Sequence, residues 1–437
     1  MELKEYRELL FKIALERGCE AAQTRFDGSD AFSVDVLNGE IDRYTSSRDQ
    51  SLVLRVKYQG HDGTAATEVF EDAEALVERA IDNARTIETD DESPWQGKSE
   101  YQKLDAEHDY IYALSDEEKI NLALELEKRV KAMDERVDRV GFCEVSAGRT
   151  RLELHNTLGL EAVSEGTMSM MAVEPIIKRG DEEKNAFSWR LGTEKPDMDA
   201  VAREAIDETL AQFDASPVEP GEYRILFRNS AAMDMVAVFS SVFSAEQAQK
   251  GLSLFANREG EVVAAECVTL MDDPFYAGHR RAFDDEGVPG KKKAVIERGV
   301  LKTLLHSLKT AKKAGVESTG NGSGSKVSPT NFYIAPGTTD YDTLIKKLGK
   351  GLIITEVTGL HAGVNAISGD FSLLARGFLV ENGEIVRAVD QITVAGSFFE
   401  MLKDIEEVAS DLKFSFPGGM ARPGSPSFLV SKLTVAG

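Results

Sequence analysis

Signals for a membrane, a disulfide framework or an exported protein are scarce in this sequence of 437 residues. Its three cysteines, Cys19, Cys143 and Cys267, lie far apart and form no C-x-x-C pair, so we expect reduced thiols rather than disulfides. No stretch approaches the roughly 20 uncharged apolar residues of a membrane span, and the first residues fit an amphipathic helix better than a signal peptide. We therefore expect a cytoplasmic protein with no membrane partner.

Positively charged residues are also fewer than negatively charged ones. Lysine and arginine total 51 against 75 aspartates and glutamates, which gives a formal net charge of −24. A surface this acidic repels phosphate backbones, so we expect no nucleic-acid partner. The basic cluster Lys291-Lys292-Lys293 is interpreted as a solvated surface loop. Hydrophobic residues make up 42% of the chain, which is typical of globular proteins, and the length predicts two or three domains.

Hydrophobic periodicity predicts an α+β fold whose first half is an antiparallel sheet flanked by helices. Residues 3–18 have helical spacing. Residues 32–69 alternate as strands around an Asn38-Gly39 hairpin turn, and a helix is expected over 72–87. The same order then recurs, with a helix that starts at a Ser115/Glu118 capping box, strands over 140–189 and a helix over 198–213.

The clearest predicted boundary is the proline- and glycine-containing stretch 216–221. We therefore divide the chain into an N-terminal α+β domain, 1–216, and a strand-rich C-terminal domain, 221–437, with a closed or sandwiched sheet. The N-terminal domain is expected to have two subdivisions, 1–95 and 110–216, joined by an acidic surface connection at 88–101. In the C-terminal domain we expect helices over 230–248, 340–348 and 398–411 and a paired last strand over 428–435.

No catalytic constellation emerges from the residues themselves. The six histidines include no H-E-x-x-H helix motif, although a zinc hydrolase needs three protein ligands and one open position. There is no G-x-S-x-G elbow either. The glycine-serine stretch 318–326 lacks the G-K-[ST] ending of a phosphate loop, so we interpret it as a flexible loop that could close over a peptide.

Two acidic clusters and one histidine have competing interpretations. Asp272-Asp273 and the cluster around Asp284 could bind a hard cation or perform acid–base chemistry. Aspartates beside proline and glycine more often hydrogen-bond their own turn, which is the interpretation we favour. His361 could act as a general base beside Glu356 or Asp370, but without a nucleophile or metal in view a structural histidine is the simpler interpretation.

Five ordered blocks of the second half resemble the TldD/PmbA family, formerly called modulators of DNA gyrase. They are Lys-Gly-Leu-Ser-Leu-Phe at 250–255, Met-Asp-Asp-Pro at 271–274, Phe-Asp-Asp-Glu-Gly-Val-Pro at 283–289, Gly-Leu-His-Ala-Gly-Val-Asn at 359–365 and Ser-Gly-Asp-Phe-Ser at 368–372. The resemblance implies that an active subunit has H-E-x-x-x-H on a helix before the first block and a zinc-binding cysteine near the C-terminus.

At the corresponding positions this chain has none of those ligands. Counting back without gaps from the first block, Val236 and Ser241 stand where the histidines would be and Ala237 where the glutamate would be. No histidine occurs between His155 and His279, and Cys267 is the last cysteine. The resemblance therefore implies the PmbA (TldE) type of subunit, with no metal and no catalytic residue in this chain.

The same resemblance implies a cytoplasmic metallopeptidase that cleaves unstructured peptides. We expect a heterodimer with a zinc-bearing TldD-type homologue, and a homodimer in isolation. Alternatives are a non-enzymatic peptide-binding or chaperone-like module, and a hydrolase with an unrecognised carboxylate metal site. The residues that we expect to line a peptide cleft come from the five blocks: Ser253, Asp272, Asp273, Asp284, His361, Asn365 and Asp370.

Overall fold

The computed structural model describes residues 1–86, 94–105, 107–416 and 420–437. Its contacts divide the chain into two compact units, Met1–Ala211 and Gln212–Gly437. The sequence-based boundary at 216–221 lies in the stretch that leads to the first strand of the second unit. Of the expected acidic connection at 88–101, residues 88–93 lie outside the described residues.

The first unit is one antiparallel sheet with helices. Its helices are α1 (Leu3–Glu16), α2 (Ala73–Arg85), α3 (Asp116–Met133) and α4 (Met198–Leu210). Its strands are β1 (Ala21–Leu37), β2 (Glu40–Tyr58), β3 (His61–Thr67), β4 (Val137–Asn156), β5 (Glu161–Arg179), β6 (Glu182–Asn185) and β7 (Ser188–Leu191). They are ordered β3-β2-β1-β4-β5-β6, with β7 also paired to β5. The expected subdivisions 1–95 and 110–216 thus share a sheet, because β1 pairs with β4.

The helices cover one face of this sheet. Tyr6 and Leu10 of α1 pack with Leu52 and Leu54 of β2 in one buried cluster, and the thiol of Cys143 on β4 donates to a backbone carbonyl of α3. β1 starts at residue 21, not at residue 32 as expected. Its first four residues are all buried. A strand that is buried on both faces does not alternate between apolar and polar residues, so hydrophobic periodicity does not detect it.

A buried carboxylate holds the predicted Asn38-Gly39 turn. Both turn residues have positive φ, 56° and 80°, the backbone of a type I′ hairpin. Their backbone N–H groups donate to the two carboxylate oxygens of Glu127 on α3, each at 2.8 Å. Lys131 donates to the same carboxylate at 2.7 Å, so one ion pair fixes both the hairpin tip and its distance from the helix.

The second unit is richer in strands. Its helices are α5 (Asn229–Val238), α6 (Ala245–Gln249), α7 (Leu308–Ala314), α8 (Tyr341–Leu348) and α9 (Phe398–Lys403), with a 3₁₀ helix at Ser240–Phe243. Its longer strands are β8 (Gly221–Phe227), β15 (Gly351–Thr358), β16 (Asp370–Glu381), β17 (Glu384–Ser397) and β21 (Phe428–Ala436). The shorter ones are β9 (Leu270–Asp272), β10 (Lys293–Glu297), β11 (Val300–Leu301), β12 (Gly322–Ser323), β13 (Lys326–Val327), β14 (Asn331–Ile334), β18 (Ile405–Val408), β19 (Lys413–Phe414) and β20 (Arg422–Ser425).

The long strands close on themselves. Their order is β17-β16-β15-β8-β21, and β21 pairs back onto β17, which makes a barrel-like ring with β18 beside β21. A second sheet follows the order β11-β10-β9-β14-β20-β19. The predicted α+β class, with a strand-rich second half and a closed sheet, is therefore confirmed.

Two predicted helices are wrong in extent. The expected helix 230–248 is broken into α5, the 3₁₀ turn and α6, because Phe239 leaves helical geometry at φ −95°, ψ 2° and two serines, weak helix formers, follow it. The expected helix 398–411 ends at Lys403, after which Ile405 and Val408 enter the sheet as β18. None of the helices in the described part of the chain has the length and apolar content needed to cross a bilayer.

Candidate functional site

The motif segment, residues 236–241, contains the positions that correspond to zinc ligands. Val236 and Ala237 lie in the last turn of α5, and Ser241 lies in the 3₁₀ helix. Val236 is 5% exposed within the apolar core, whereas Ser241 is exposed. The break at Phe239 therefore leaves Val236 facing the interior and Ser241 facing solvent.

The interior around Val236 is not suited to a metal ion. Val236 lines a cavity of about 10 Å³ with Phe243, Phe398 and other apolar side chains. A space of this size is about one water molecule wide, and without polar partners it stays dry. Zinc binds thiolate, imidazole or carboxylate, and valine, alanine and serine supply none of these. Among the described residues, no group of three or more His, Cys, Asp and Glu side chains has the geometry to hold a metal.

A carboxyl group missed by the sequence reasoning lies on the same helix. Burial and, to a smaller extent, the negative charge of Glu356 together raise the pKa of Asp234 to about 6. Glu356 is itself paired with Arg376, whose other guanidinium nitrogen donates to Gln212 Oε1 at 2.6 Å. Asp234 is the one charged residue of α5, and an isolated charge in an otherwise apolar helix was the signal available in the sequence.

An aromatic cluster joins the motif segment to two of the family-like blocks. Phe239 stacks on Phe398 with ring centroids 4.2 Å apart and meets Phe371 edge-on at 6.3 Å. Phe399 contacts Phe255 at 5.0 Å. Phe255 ends the 250–255 block and Phe371 belongs to the 368–372 block, so both blocks pack around the segment that would carry the motif.

Ser253 supports the turn that follows the motif segment. Its hydroxyl donates to the carbonyl of Val242 at 2.5 Å and accepts from the backbone N–H of Phe255 at 3.1 Å. The side chain is buried, whereas its neighbours Leu252 and Leu254 are exposed. Ser253 thus fixes the backbone that presents two apolar side chains to solvent.

The loop at 359–370 is attached to the same aromatic cluster. Asn365 Oδ1 accepts from the N–H groups of Ile367 and Ser368 at 3.0 and 3.2 Å. Gly369 has φ +83°, and a Cβ there would lie 2.4 Å from the Phe399 ring. This contact explains the glycine and fixes the loop, on which His361, Asn365 and Asp370 are exposed.

Asp272 and Asp273 lie elsewhere, in a buried ionic network. Asp272 is fully buried and accepts from Lys293 Nζ at 2.6 Å, from Asn321 Nδ2 at 3.0 Å and from the N–H and hydroxyl of Thr330 at 2.6 and 2.8 Å. Lys292 pairs with Asp273 at 2.8 Å. The interpretation of the lysine cluster as a solvated loop is therefore wrong for Lys293, because the β9–β10 register places it opposite Asp272.

Asp284 has the turn geometry that we favoured, and it also reaches a second loop. One carboxylate oxygen accepts from the N–H groups of Glu286 and Val288, both at 2.9 Å, and the other accepts from Gly322 at 2.8 Å. Burial raises the pKa of Asp284 to about 6, and these N–H donors oppose that rise. The glycine-serine stretch is thus held at Gly322 and at the fully buried Asn321, contrary to the flexible loop that we expected.

The structure divides the candidate cleft residues between two places. Ser253 and Asp370 lie in the chain next to residues of the aromatic cluster, and His361 and Asn365 lie on the loop that Gly369 fixes to Phe399. His361, Asn365 and Asp370 are exposed. Asp272, Asp273 and Asp284 are buried around Asn321 and Gly322, where their oxygens already bind internal donors. Contact with a peptide stays a prediction for all of them, and the exposed group is the better placed for it.

Comparisons with known proteins give matches to both units of the chain. Profiles of PmbA/TldA metallopeptidase domain 1, central domain and C-terminal domain match residues 22–84, 109–213 and 220–437. A crystal structure from Thermotoga maritima, described as a modulator of a DNA gyrase, is 34% identical, with a TM-score of 0.92 over 100% of both chains. The metalloprotease PmbA of Escherichia coli O157:H7 is 25% identical over 94% of this chain and 93% of its own length. TldE from Thermococcus kodakarensis has the same fold, with a TM-score of 0.89 at 21% identity over 99% of this chain and 100% of that chain.

Proposed function

Because the chain belongs to the PmbA/TldD metallopeptidase family, we propose that it is a PmbA (TldE)-like subunit that holds no zinc. It acts in the cytoplasm in proteolysis of unstructured peptides, and cleavage depends on a zinc-bearing TldD-type partner. The observation that carries the proposal is the motif segment itself. Val236 packs in the apolar core, Ser241 faces solvent, and neither they nor Ala237 offers an imidazole or a carboxylate.

The contribution of this subunit is to hold part of the substrate. Leu254 and Ile367 are 50% and 47% exposed. Leu254 precedes Phe255 of the aromatic cluster, and Ile367 lies on the loop that carries the exposed His361, Asn365 and Asp370 and is fixed to the cluster at Gly369. Rigid apolar side chains beside hydrogen-bonding groups suit an extended peptide, because they bind without a large ordering cost. In a heterodimer this surface would complete a chamber whose zinc lies on the partner.

Metal content and peptide cleavage test the proposal together. Zinc is measured by mass spectrometry on the tag-free chain, alone and after mixing with a zinc-bearing TldD-type homologue, alongside cleavage of an unfolded peptide. We expect no stoichiometric zinc and no cleavage by the lone chain, and cleavage by the mixture at a rate above that of the homologue alone. Stoichiometric zinc with cleavage in the lone chain would overturn the proposal.

A surface variant tests the role of the exposed group. Leu254→Ser with Ile367→Ser is expected to raise the KM of the mixture several-fold with little change in kcat, since the substitutions remove binding distant from the zinc. Val316→Ser, another exposed apolar residue, is the matched control. If the mixture binds the peptide tightly but never cleaves it, the peptide-binding module becomes the better description.

A further inference from the structure

The negative charge of the chain is unevenly distributed between the two units. Residues 1–211 contain 27 lysines and arginines against 48 aspartates and glutamates, a formal charge of −21. Residues 212–437 contain 24 against 27, a formal charge of −3. Within the second unit, residues 291–326 contain nine lysines and arginines and two glutamates. This stretch is therefore strongly basic in a chain that is acidic as a whole.

Ion pairs neutralise the first part of the basic stretch. Each lysine and arginine from residue 291 to residue 302 is paired with a carboxylate, in the pairs Lys291–Glu317, Lys292–Asp273, Lys293–Asp272, Arg298–Glu266 and Lys302–Glu297. Residues 303–326 contain four further lysines and one glutamate, Glu317, which is the partner of Lys291. The excess of positive charge therefore lies mainly on α7 and on the hairpin that follows it.

The four lysines of this second part form what we call the basic surface: Lys309, Lys312 and Lys313 of α7 and Lys326 of β13. All four are exposed, and α6 packs against both α7 and β13. The backbone beneath them is fixed at both ends of α7. The helix begins with a Ser307/Thr310 capping box and ends at Gly315 with φ 69°. The charges thus stand on an ordered support and not on a flexible tail.

The basic surface adjoins one of the segments that we propose for peptide contact. Gln249 of α6 donates through Nε2 to the carbonyl of Thr310 on α7 at 2.8 Å. Leu252 and Leu254 follow α6 directly in the chain and are 39% and 50% exposed. Exposed apolar side chains and exposed ammonium groups are therefore presented by neighbouring elements.

The composition of the basic stretch favours an acidic peptide over a nucleic acid as its ligand. Residues 291–326 contain no phenylalanine, tyrosine or tryptophan, the side chains on which single-stranded bases stack. Arginine binds phosphate in a bidentate manner and reads guanine, but the single arginine of the stretch, Arg298, is paired with Glu266. A cluster of carboxylates requires only positive charge, which the four lysines supply.

We infer that the basic surface binds an acidic segment of the peptide, while the neighbouring leucines contact apolar residues beside that segment. An acidic peptide is repelled by a chain with a net charge of −24 except where positive charge is concentrated, so this surface also orients it. As a statement about substrates the inference rests on the proposed function, because it names the class of unstructured peptide that is cleaved. The binding itself requires neither zinc nor cleavage.

Fluorescence anisotropy on the lone chain tests the binding. The probe is a labelled unstructured peptide with a run of aspartates and glutamates followed by leucines, and the control peptide has asparagine and glutamine in place of the acids. At about 0.01 M salt we expect the acidic peptide to bind about tenfold more tightly or better, and at about 1 M salt to lose that advantage, because the Debye length falls from about 30 Å to about 3 Å. Equal affinity for both peptides at low salt would overturn the inference.

A pair of double variants tests the location. Lys312→Gln with Lys313→Gln should weaken binding of the acidic peptide about fivefold or more and leave the control peptide unaffected. Lys346→Gln with Lys347→Gln is the matched control, since these are also adjacent exposed lysines in the last turn of a helix of the same unit. It changes the net charge by the same amount and should weaken binding less than about twofold. Equal weakening by both variants would mean that net charge alone decides, and the inference would fail.

Two further measurements separate the inference from its alternatives. If an oligo-dT strand binds the lone chain more tightly than the acidic peptide and loses affinity in the α7 variant, the ligand is a nucleic acid and the inference is wrong. In the mixture with the zinc-bearing homologue, the α7 variant should raise the KM for the acidic peptide and not for the control peptide. Zinc and cleavage in the lone chain would overturn the proposed function and leave the binding preference intact, whereas absence of the preference would overturn the inference alone.

Discussion

Asp272→Asn is expected to destabilise the second unit far more than its conservative chemistry suggests. One oxygen of Asp272 accepts from the N–H and the hydroxyl of Thr330, and the other accepts from Lys293 and Asn321. An asparagine can satisfy only one of these pairs. If its oxygen faces Thr330, its NH₂ group meets the Lys293 ammonium and the Asn321 amide, so a donor opposes two donors.

The expected cost follows from the burial of the pair. The Lys293 side chain is 14% exposed and Asp272 is fully buried. Removing one partner of a buried ion pair leaves an uncompensated charge and typically costs about 3–5 kcal/mol. Lys293→Met should cost a similar amount. The double variant should cost less than the sum of the two single variants by at least about 1 kcal/mol, because both remove the same interaction.

Lys291→Met is the matched control, two residues earlier in the same cluster. Its partner Glu317 is 90% exposed and Lys291 is 54% exposed, so its removal should cost less than about 0.5 kcal/mol. Both tryptophans, Trp95 and Trp189, lie in the first unit, so their fluorescence identifies the melting of that unit in parallel with calorimetry.

For Asp272→Asn we expect the calorimetric transition of the second unit to fall by about 6 °C or more, with the tryptophan transition unchanged. A cost no larger than that of Lys291→Met would refute the reasoning. It would mean that water or a structural rearrangement compensates the charge of Lys293. It would also mean that the ionic network of Asp272 does not hold the glycine-serine stretch 318–326 in place.

Three further outcomes follow from groups described above. The pKa of Asp234, raised to about 6, means that the folded chain keeps a proton between about pH 4 and pH 6 that the unfolded chain releases, so this residue lowers stability as pH rises through that range. Asp234→Asn should therefore be more stable than the wild type at pH 7.5, by up to about 3 kcal/mol, and equal to it near pH 4 in pH-dependent denaturation; an advantage that does not depend on pH would contradict this. Glu127→Gln should destabilise the first unit by about 1–3 kcal/mol in urea, because the buried side chain then turns an NH₂ group toward one of the two backbone donors at the hairpin tip, and a cost near zero would show that Glu127 does not hold the turn. A thiol reagent should label one cysteine of the native chain, Cys267, and all three only after denaturation, since Cys19 and Cys143 are buried; labelling of two or more in the native state would show that a core opens.

The sequence predicted those features that depend on local patterns. The Asn38-Gly39 turn, the capping box at Ser115 and most helices of the first unit follow from residues within one or two turns of each other. For the second unit the sequence predicted a closed or sandwiched sheet but not the order of its strands. The order of its strands depends on the pairings of β8 with β15 and of β17 with β21, which join distant segments and leave no local pattern.

The candidate site was predictable only in part, for a related reason. The resemblance located Val236 and Ser241, but the sequence predicted one unbroken helix through them, and the break at Phe239 instead places Val236 in the core and Ser241 in solvent. The partner of Asp272 was missed because β9–β10 register, not sequence spacing, brings Lys293 to it. Asp234 was missed because a single carboxylate in an apolar helix has no motif, although its burial makes it chemically distinctive.

The closure of the sheet in the second unit also constrains the order in which the two units can fold during synthesis. Phe227 of β8 lies beside Phe428 of β21, so the first and last strands of this unit are neighbours. The ring cannot be completed until the final strand has left the ribosome, whereas the first unit can already have formed its sheet from hairpins. During that interval β8 has an open side, and a nascent chain paused before β21 would expose it to aggregation or to a chaperone.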